Sequence, residues 1–260
     1  MHTWNWRNWE KLPYLTCSIL DGWEHGFFTQ QFWPRLPAEL TKVLQPEALV
    51  YRLKQVHGNT VLTPQEIDTQ LTTLGDEVEL VSADGLITEQ PLQAVWVASA
   101  DCTPLLIGDV KTGQVSAIHA GWRGTAQKIV PQAIARLQAQ GSKLEDLRIA
   151  MGPAIAGVVY QVSVEVAAEI GASIIPHTDP QKIVAALHNL PNSPLHEDPN
   201  PEKVRVDVRR VNALQIENLG ISPEQVAIAP YCTYQTPEHF FSYRREPEKK
   251  VQWSGIVSRD

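Results

Sequence analysis

Three stretches of this sequence end an apolar run in a side chain able to bind a metal or attack a substrate. They are Gln55-Val56-His57-Gly58-Asn59, Ser99-Ala100-Asp101-Cys102-Thr103-Pro104 and His119-Ala120-Gly121-Trp122-Arg123-Gly124. Strand ends and the turns after them present reactive groups on a rigid frame. Two imidazoles and a thiolate, from His57, His119 and Cys102, suit one zinc ion and leave a fourth position open for water or substrate. Copper binds such donors at least as tightly. From the residues alone three readings stay open. The trio is a metal centre, or Cys102 and a histidine form a nucleophile pair, or all three are ordinary packing, with Cys102 a small buried hydrophobe.

Asp101, beside Cys102, is a candidate carboxylate to orient a ligand histidine or to act as a general base. Neighbours on a strand face opposite ways, so a turn or cap role is the competing expectation. Gly121 and Gly124 flank Arg123 at a helix start, where free amides and a guanidinium could hold phosphate. A plain helix-entry turn accounts for the same glycines. Phe241-Ser242-Tyr243-Arg244-Arg245 sets two guanidiniums next to an aromatic ring, as an anion clamp or as solvated surface.

The elements that must carry these groups read as mixed α/β. Strand patterns cover 14–20, 25–29, 48–56, 84–88, 94–100, 103–107 and 115–119. The clearest helix is expected over 125–140, with Ile129, Ala133, Ile134 and Leu137 on one face and Gly141 ending it. Pro131 falls early enough in that run to be tolerated or to bend it. A strand over 147–151 returns, helices are expected over 164–172, 181–190 and 208–219, and strands over 226–229, 240–243 and 251–257 close the chain. The stretch 190–203, LPNSPLHEDPNPEK, reads as a surface loop. Trp4 and Trp6 alternate as on a strand and are expected to anchor a tryptophan-rich N-terminal segment on a single domain spanning 1–260.

The balance of 43% hydrophobic and 20% charged residues supports a sizeable core. A net charge of −7 argues against a nucleic-acid partner, which a basic face would serve. The first fifteen residues lack the apolar core of a signal peptide, and no run is long enough to span a membrane, so a cytoplasmic protein is expected. Three widely spaced cysteines do not suggest a disulfide framework.

Taken in order, QVHGNTV, ADGLIT, SADCTPLLIGD, AIHAGWRGTAQ, MGPAIAGVVYQV and FFSYRRE resemble the YfiH-like family, also called laccase-domain or multicopper polyphenol oxidoreductase proteins. The resemblance runs from about His25 to Arg245. It implies a single-domain, four-layer α-β-β-α sandwich, and it assigns metal binding to the His, Cys and His of QVHG, ADC and HAGWRG, here His57, Cys102 and His119. Members are described as purine nucleoside phosphorylases that also deaminate adenosine and cleave methylthioadenosine, so a purine nucleoside and phosphate are the implied small-molecule partners. The alternatives are a cysteine-type hydrolase editing a peptidoglycan precursor and a copper-dependent laccase. One zinc ion is expected rather than copper, because multicopper oxidation needs several metal centres and eight dispersed histidines do not suggest them. Gln55, Arg123 and Arg244 are the expected substrate contacts, and the protein is expected to be a monomer or homodimer. The chain departs from the family at His25-Gly26-Phe27-Phe28-Thr29-Gln30-Gln31, at Ala154, at Tyr160-Gln161-Val162 and around Ser254-Gly255-Ile256, changes expected to border the pocket.

Overall fold

The longest apolar runs of the sequence become the middle strands of two six-stranded sheets. The computed structural model describes residues 2–74 and 80–260. In chain order the strands are β1 (Trp4–Trp9), β2 (Leu12–Cys17), β3 (His25–Phe28), β4 (Leu49–Tyr51), β5 (Val61–Leu62), β6 (Gly85–Ile87), β7 (Gln93–Ser99), β8 (Thr103–Asp109), β9 (Val115–Ala120), β10 (Leu147–Met151), β11 (Gln161–Ser163), β12 (Leu195–His196), β13 (Lys203–Val206), β14 (Val226–Ile228) and β15 (Gln252–Val257). The helices are α1 (Pro37–Leu44), α2 (Pro64–Leu74), α3 (Trp122–Ala126), α4 (Ile129–Ala139), α5 (Val164–Gly171), α6 (Pro180–His188) and α7 (Val208–Asn218).

The first sheet has the order β1-β2-β3-β15-β7-β4 and the second β14-β10-β8-β9-β6-β5. Every residue of β8 and β9 is buried, which explains why both read as unbroken apolar runs and not as alternating ones. The sheets face each other across a core that includes Leu15, Phe27, Val95 and Val97 from the first and Leu86, Leu106, Ala117 and Ala150 from the second. Outside the first sheet, α1 covers Phe28, Ala94 and Trp96 through Leu40 and Leu44. On the outer face of the second, α4 and α7 cover Leu105, Ile107 and Ile118 through Ile134, Leu137 and Ile216. The result is the expected four-layer α-β-β-α sandwich. Trp4 and Trp6 pack against the inter-sheet core, and β1 pairs along its whole length with β2.

Three expected elements change. The helix over 125–140 is two helices, because Lys128 takes a left-handed conformation (φ 61°) between α3 and α4. Pro131 then sits in the first turn of α4, where a missing amide is harmless. No strand forms over 240–243. The stretch 190–203 is not all loop: β12 pairs with β13, which pairs with β11, and this small sheet packs with α5 and α6 around Val204, Val206, Ile170 and Leu187. The segments of α1 and α2 carried no helix expectation.

Candidate active site

His57, Cys102 and His119 converge. Their potential ligand atoms all lie within 4.8 Å of one another, and the two imidazole rings are 4.8 Å apart, edge to face. His119 comes from β9 and is buried, Cys102 from the turn between β7 and β8 is half-buried, and His57 in the loop after β4 is exposed. Two of the site's turns hold strained backbone, with His57 at φ 61° and Asp101 at φ 86°. Non-glycine residues enter that region only where neighbouring structure holds them.

What holds His57 there is Asp84. Its fully buried carboxylate accepts the backbone N–H groups of Val56, His57 and Gly58 at 3.2, 2.9 and 2.7 Å. The same carboxylate accepts His119 Nδ1 at 2.9 Å, which fixes the proton on Nδ1 and leaves Nε2 free as a ligand. Burial works against the charge on Asp84, but His119 and the amides of Gly58 and His57 outweigh it and hold the group below the usual carboxylate range. The orienting carboxylate is therefore Asp84 and not Asp101. Asp101 instead accepts Thr233 Oγ1 and the backbone N–H of Arg244, both at 2.7 Å, tying the C-terminal segment to the Cys102 turn.

Burial pushes the Cys102 thiol up, yet His119 and then His57 bring it down to about 6. Burial likewise lowers His119, while Cys102 and Asp84 raise it to about 9. Without metal the pair is thus thiolate and imidazolium at neutral pH. The lowered thiol's share of stability is lost as pH falls through about 6, and the raised imidazole's share is lost as pH rises through about 9. Between those limits the two shares change in opposite directions, because thiolate–imidazolium and thiol–imidazole hold equal numbers of protons. A divalent ion needs both ligands deprotonated. Binding at about pH 7.5 should therefore release close to one proton from His119, besides the one that coordinated water gives up, and the His119 share should vanish well above pH 9. Calorimetric titration of metal into the apo-protein in buffers of different ionisation enthalpy measures this number.

The cavity beside the trio encloses about 640 Å3 and is lined by Gln55, Ser99, Trp122, Arg123, Tyr160, Tyr243, Arg244 and Lys249 among others. Arg123 stacks on Trp122 at 4.3 Å and forms no side-chain hydrogen bond or ion pair among the described residues, so its guanidinium is available to an anion. Arg244 lies over Tyr160 at 4.8 Å and donates to the carbonyl of Gln161. The paired arginines divide their work: Arg245 donates to the carbonyls of Thr233, Tyr234 and Phe240 and staples the chain. Gln55 also lines the cavity, but its amide is engaged at both ends by Ala98, at 2.8 and 2.7 Å. The β4–β7 pairing itself ends at Tyr51 and Val95.

The two glycines of the Gly121–Gly124 turn serve close packing. A Cβ on Gly121 would lie 2.8 Å from Cys102 Sγ, and one on Gly124 would lie 2.9 Å from the carbonyl oxygen of Gly58. Gly121→Ala should weaken metal binding about tenfold or more by displacing the thiolate, with little change in melting temperature; chelator competition reads the affinity. The departures from the family pattern were expected to border the pocket, yet none of the changed residues lines this cavity: in Tyr160-Gln161-Val162 the residue that departs is Gln161, and it is Tyr160, shared with the family, that forms the wall. Phe27, Phe28, Ala154 and Ile256 belong to buried packing.

Asp84 and Ser99 drew no expectation from the sequence. Asp84 stands in ADGLIT, at the head of the run 84–88 that reads only as a strand.

The sequence matches the family described as "Multi-copper polyphenol oxidoreductase laccase" over residues 36–258. It is 51% identical to "Purine nucleoside phosphorylase" of Synechocystis, covering 98% of this chain and 97% of that one. It is 27% identical to "Adenosine deaminase RL5" from an unknown prokaryotic organism, covering 74% and 68%. Among solved structures, YlmD from Geobacillus stearothermophilus has the same fold, with a TM-score of 0.80 at 22% identity over 98% of this chain and 99% of that one.

Proposed function

Since the chain belongs to the multi-copper polyphenol oxidoreductase laccase family, we propose that it is a purine nucleoside phosphorylase with one zinc ion held by His57, Cys102 and His119. The observation that carries this reading is the donor trio at one wall of a cavity that also presents Arg123, an unpaired cation for phosphate. The identity with the Synechocystis phosphorylase, spread over nearly the whole of both chains, supports the reaction. Adenosine deamination and methylthioadenosine cleavage belong to the same proposal, the first supported by the relative named for it.

The donor set fits zinc. Two imidazoles and a thiolate are common zinc ligands, and three protein ligands leave a position open, as catalytic sites need. Among the described residues no second group of three such side chains accompanies this one, which favours one centre over a multicopper chain. When bound, the ion supplies Lewis acidity and lowers the pKa of coordinated water.

The chain's own residues do the rest. In phosphorolysis an oxygen of inorganic phosphate bonds to C1′ of the ribose as the bond from C1′ to the purine nitrogen breaks. Arg123 would hold the phosphate, with Arg244 adding positive charge at the cavity. Trp122, Tyr160 and Tyr243 offer aromatic surface for the base. Asp84 keeps His119 in one tautomer throughout. Three free cysteines fit a cytoplasmic setting.

A second reading, a hydrolase with Cys102 as nucleophile, draws on the thiol's lowered pKa beside His119. One experiment separates the two. Metal-replete protein is analysed for bound metal and assayed for phosphate-dependent release of hypoxanthine from inosine. About one zinc per chain, and turnover that chelator removes and zinc restores, would support the phosphorylase. Turnover no higher than that of a Cys102→Ala control would sink it.

A further inference from the structure

Along β7, Val95 and Val97 point into the core between the sheets, while Ala94 and Trp96 point outward towards α1. The two-residue period of a strand puts Ser99 on the side of the valines. The apolar core ends there, and Ser99 forms part of the cavity wall. Ser99 is 3% exposed, and its Oγ meets no hydrogen-bonding partner among the described residues. A buried hydroxyl left unpaired is unfavourable, and rotation about the Cα–Cβ bond of Ser99 to a rotamer facing the cavity would give its Oγ a partner there.

Next to Ser99, the backbone of Ala98 occupies one N–H and one lone pair of Gln55, which leaves that amide a second N–H and a second lone pair. A hydroxyl and a half-engaged amide, each both donor and acceptor, match sugar hydroxyls, which are donors and acceptors too. A purine ring finds its complement in the aromatic surfaces of Trp122, Tyr160 and Tyr243.

We propose that Ser99 Oγ hydrogen-bonds the 2′ or the 3′ hydroxyl of the nucleoside's ribose and sets a preference for nucleosides that carry that hydroxyl. The inference rests on the phosphorylase reading. Its test compares wild-type, Ser99→Ala and Ser99→Thr enzymes, each zinc-replete, on inosine, 2′-deoxyinosine and 3′-deoxyinosine with phosphate. Metal content and melting temperature are followed alongside, since Cys102 is close in sequence. Ser99→Ala should lower kcat/KM for inosine about tenfold, and the penalty should vanish with whichever deoxy analogue lacks the bonded hydroxyl. Ser99→Thr, which keeps the hydroxyl, should retain the preference. An equal penalty on all three substrates, or none on inosine, would overturn the contact while leaving the phosphorylase intact. A wild-type enzyme that neither turns over inosine nor binds it by calorimetry would overturn both.

Discussion

Asp84→Ala should lower the melting temperature by about 10 °C and weaken metal binding about a hundredfold. The carboxylate is fully buried and accepts four donors: three consecutive amides, Val56 to Gly58, and the ring of His119. Truncation leaves the buried ring of His119 without its partner and frees the three amides of a half-exposed turn. Each orphaned donor costs about 1–3 kcal/mol, and breaking a buried pair typically costs about 3–5 kcal/mol in total, since the losses are not additive. The effect on the metal is separate. Without the acceptor at Nδ1, His119 is free to adopt the tautomer that puts its proton on the ligand nitrogen, and the turn that carries His57 loses its tether. Asp84→Asn divides the two effects, because its volume is kept while its NH2 opposes N–H donors. Thermal melts and zinc titration of both variants provide the check. A variant that melts like wild type and binds zinc equally well would remove Asp84 from the site.

Cys102→Ala should abolish phosphorolysis, by about a thousandfold or more, and should lower the melting temperature of the metal-free protein near neutral pH. The thiolate is the one anionic member of the trio, and a serine hydroxyl cannot replace it because it does not ionise near neutral pH. His119 keeps its ion pair with Asp84 when the thiolate goes, but it loses the neighbouring charge that does most to raise it. The variant should also purify with little zinc. Alkylation sharpens the distinction from a nucleophile. In the metal-free protein Cys102 should react with iodoacetamide down to about pH 6, where its thiol is half ionised, and zinc should protect it. A Cys102→Ala enzyme that keeps both metal and turnover would refute the assignment.

Much of this was legible in the sequence where one physical signal dominated. β8 and β9 are buried on both faces, so their composition alone marks them, and α4 shows its apolar stripe plainly. The candidate trio His57, Cys102 and His119 was legible because each member stands where such a run stops, and the fold brings the three together. Misses fall where spatial neighbours are distant in sequence. Asp101 was the natural orienting carboxylate because it adjoins Cys102, yet its side chain reaches Thr233 and Arg244, while Asp84 crosses from another strand. Gln55 lines the cavity as its place in the sequence suggested, but its two bonds to the backbone of Ala98 could not be read from a residue 43 positions away. α1 lacks a polar N-cap: Leu36 stands in that position, and Glu39 reaches back to its N–H at 3.2 Å. The turn at Lys128 is decided by how α3 and α4 pack, which no local pattern records.

The left-handed backbone at His57 has a consequence for how such a chain changes over time. Glycine would adopt that conformation without penalty, whereas a side chain there costs about 1–2 kcal/mol. A lineage, or a laboratory screen, selected for durability alone would drift towards glycine at position 57 and lose a ligand as it gained robustness. At Leu92 and Lys128, which hold the same conformation, that exchange would touch no residue of the site, whereas at position 57 heat tolerance and chemistry pull in opposite directions.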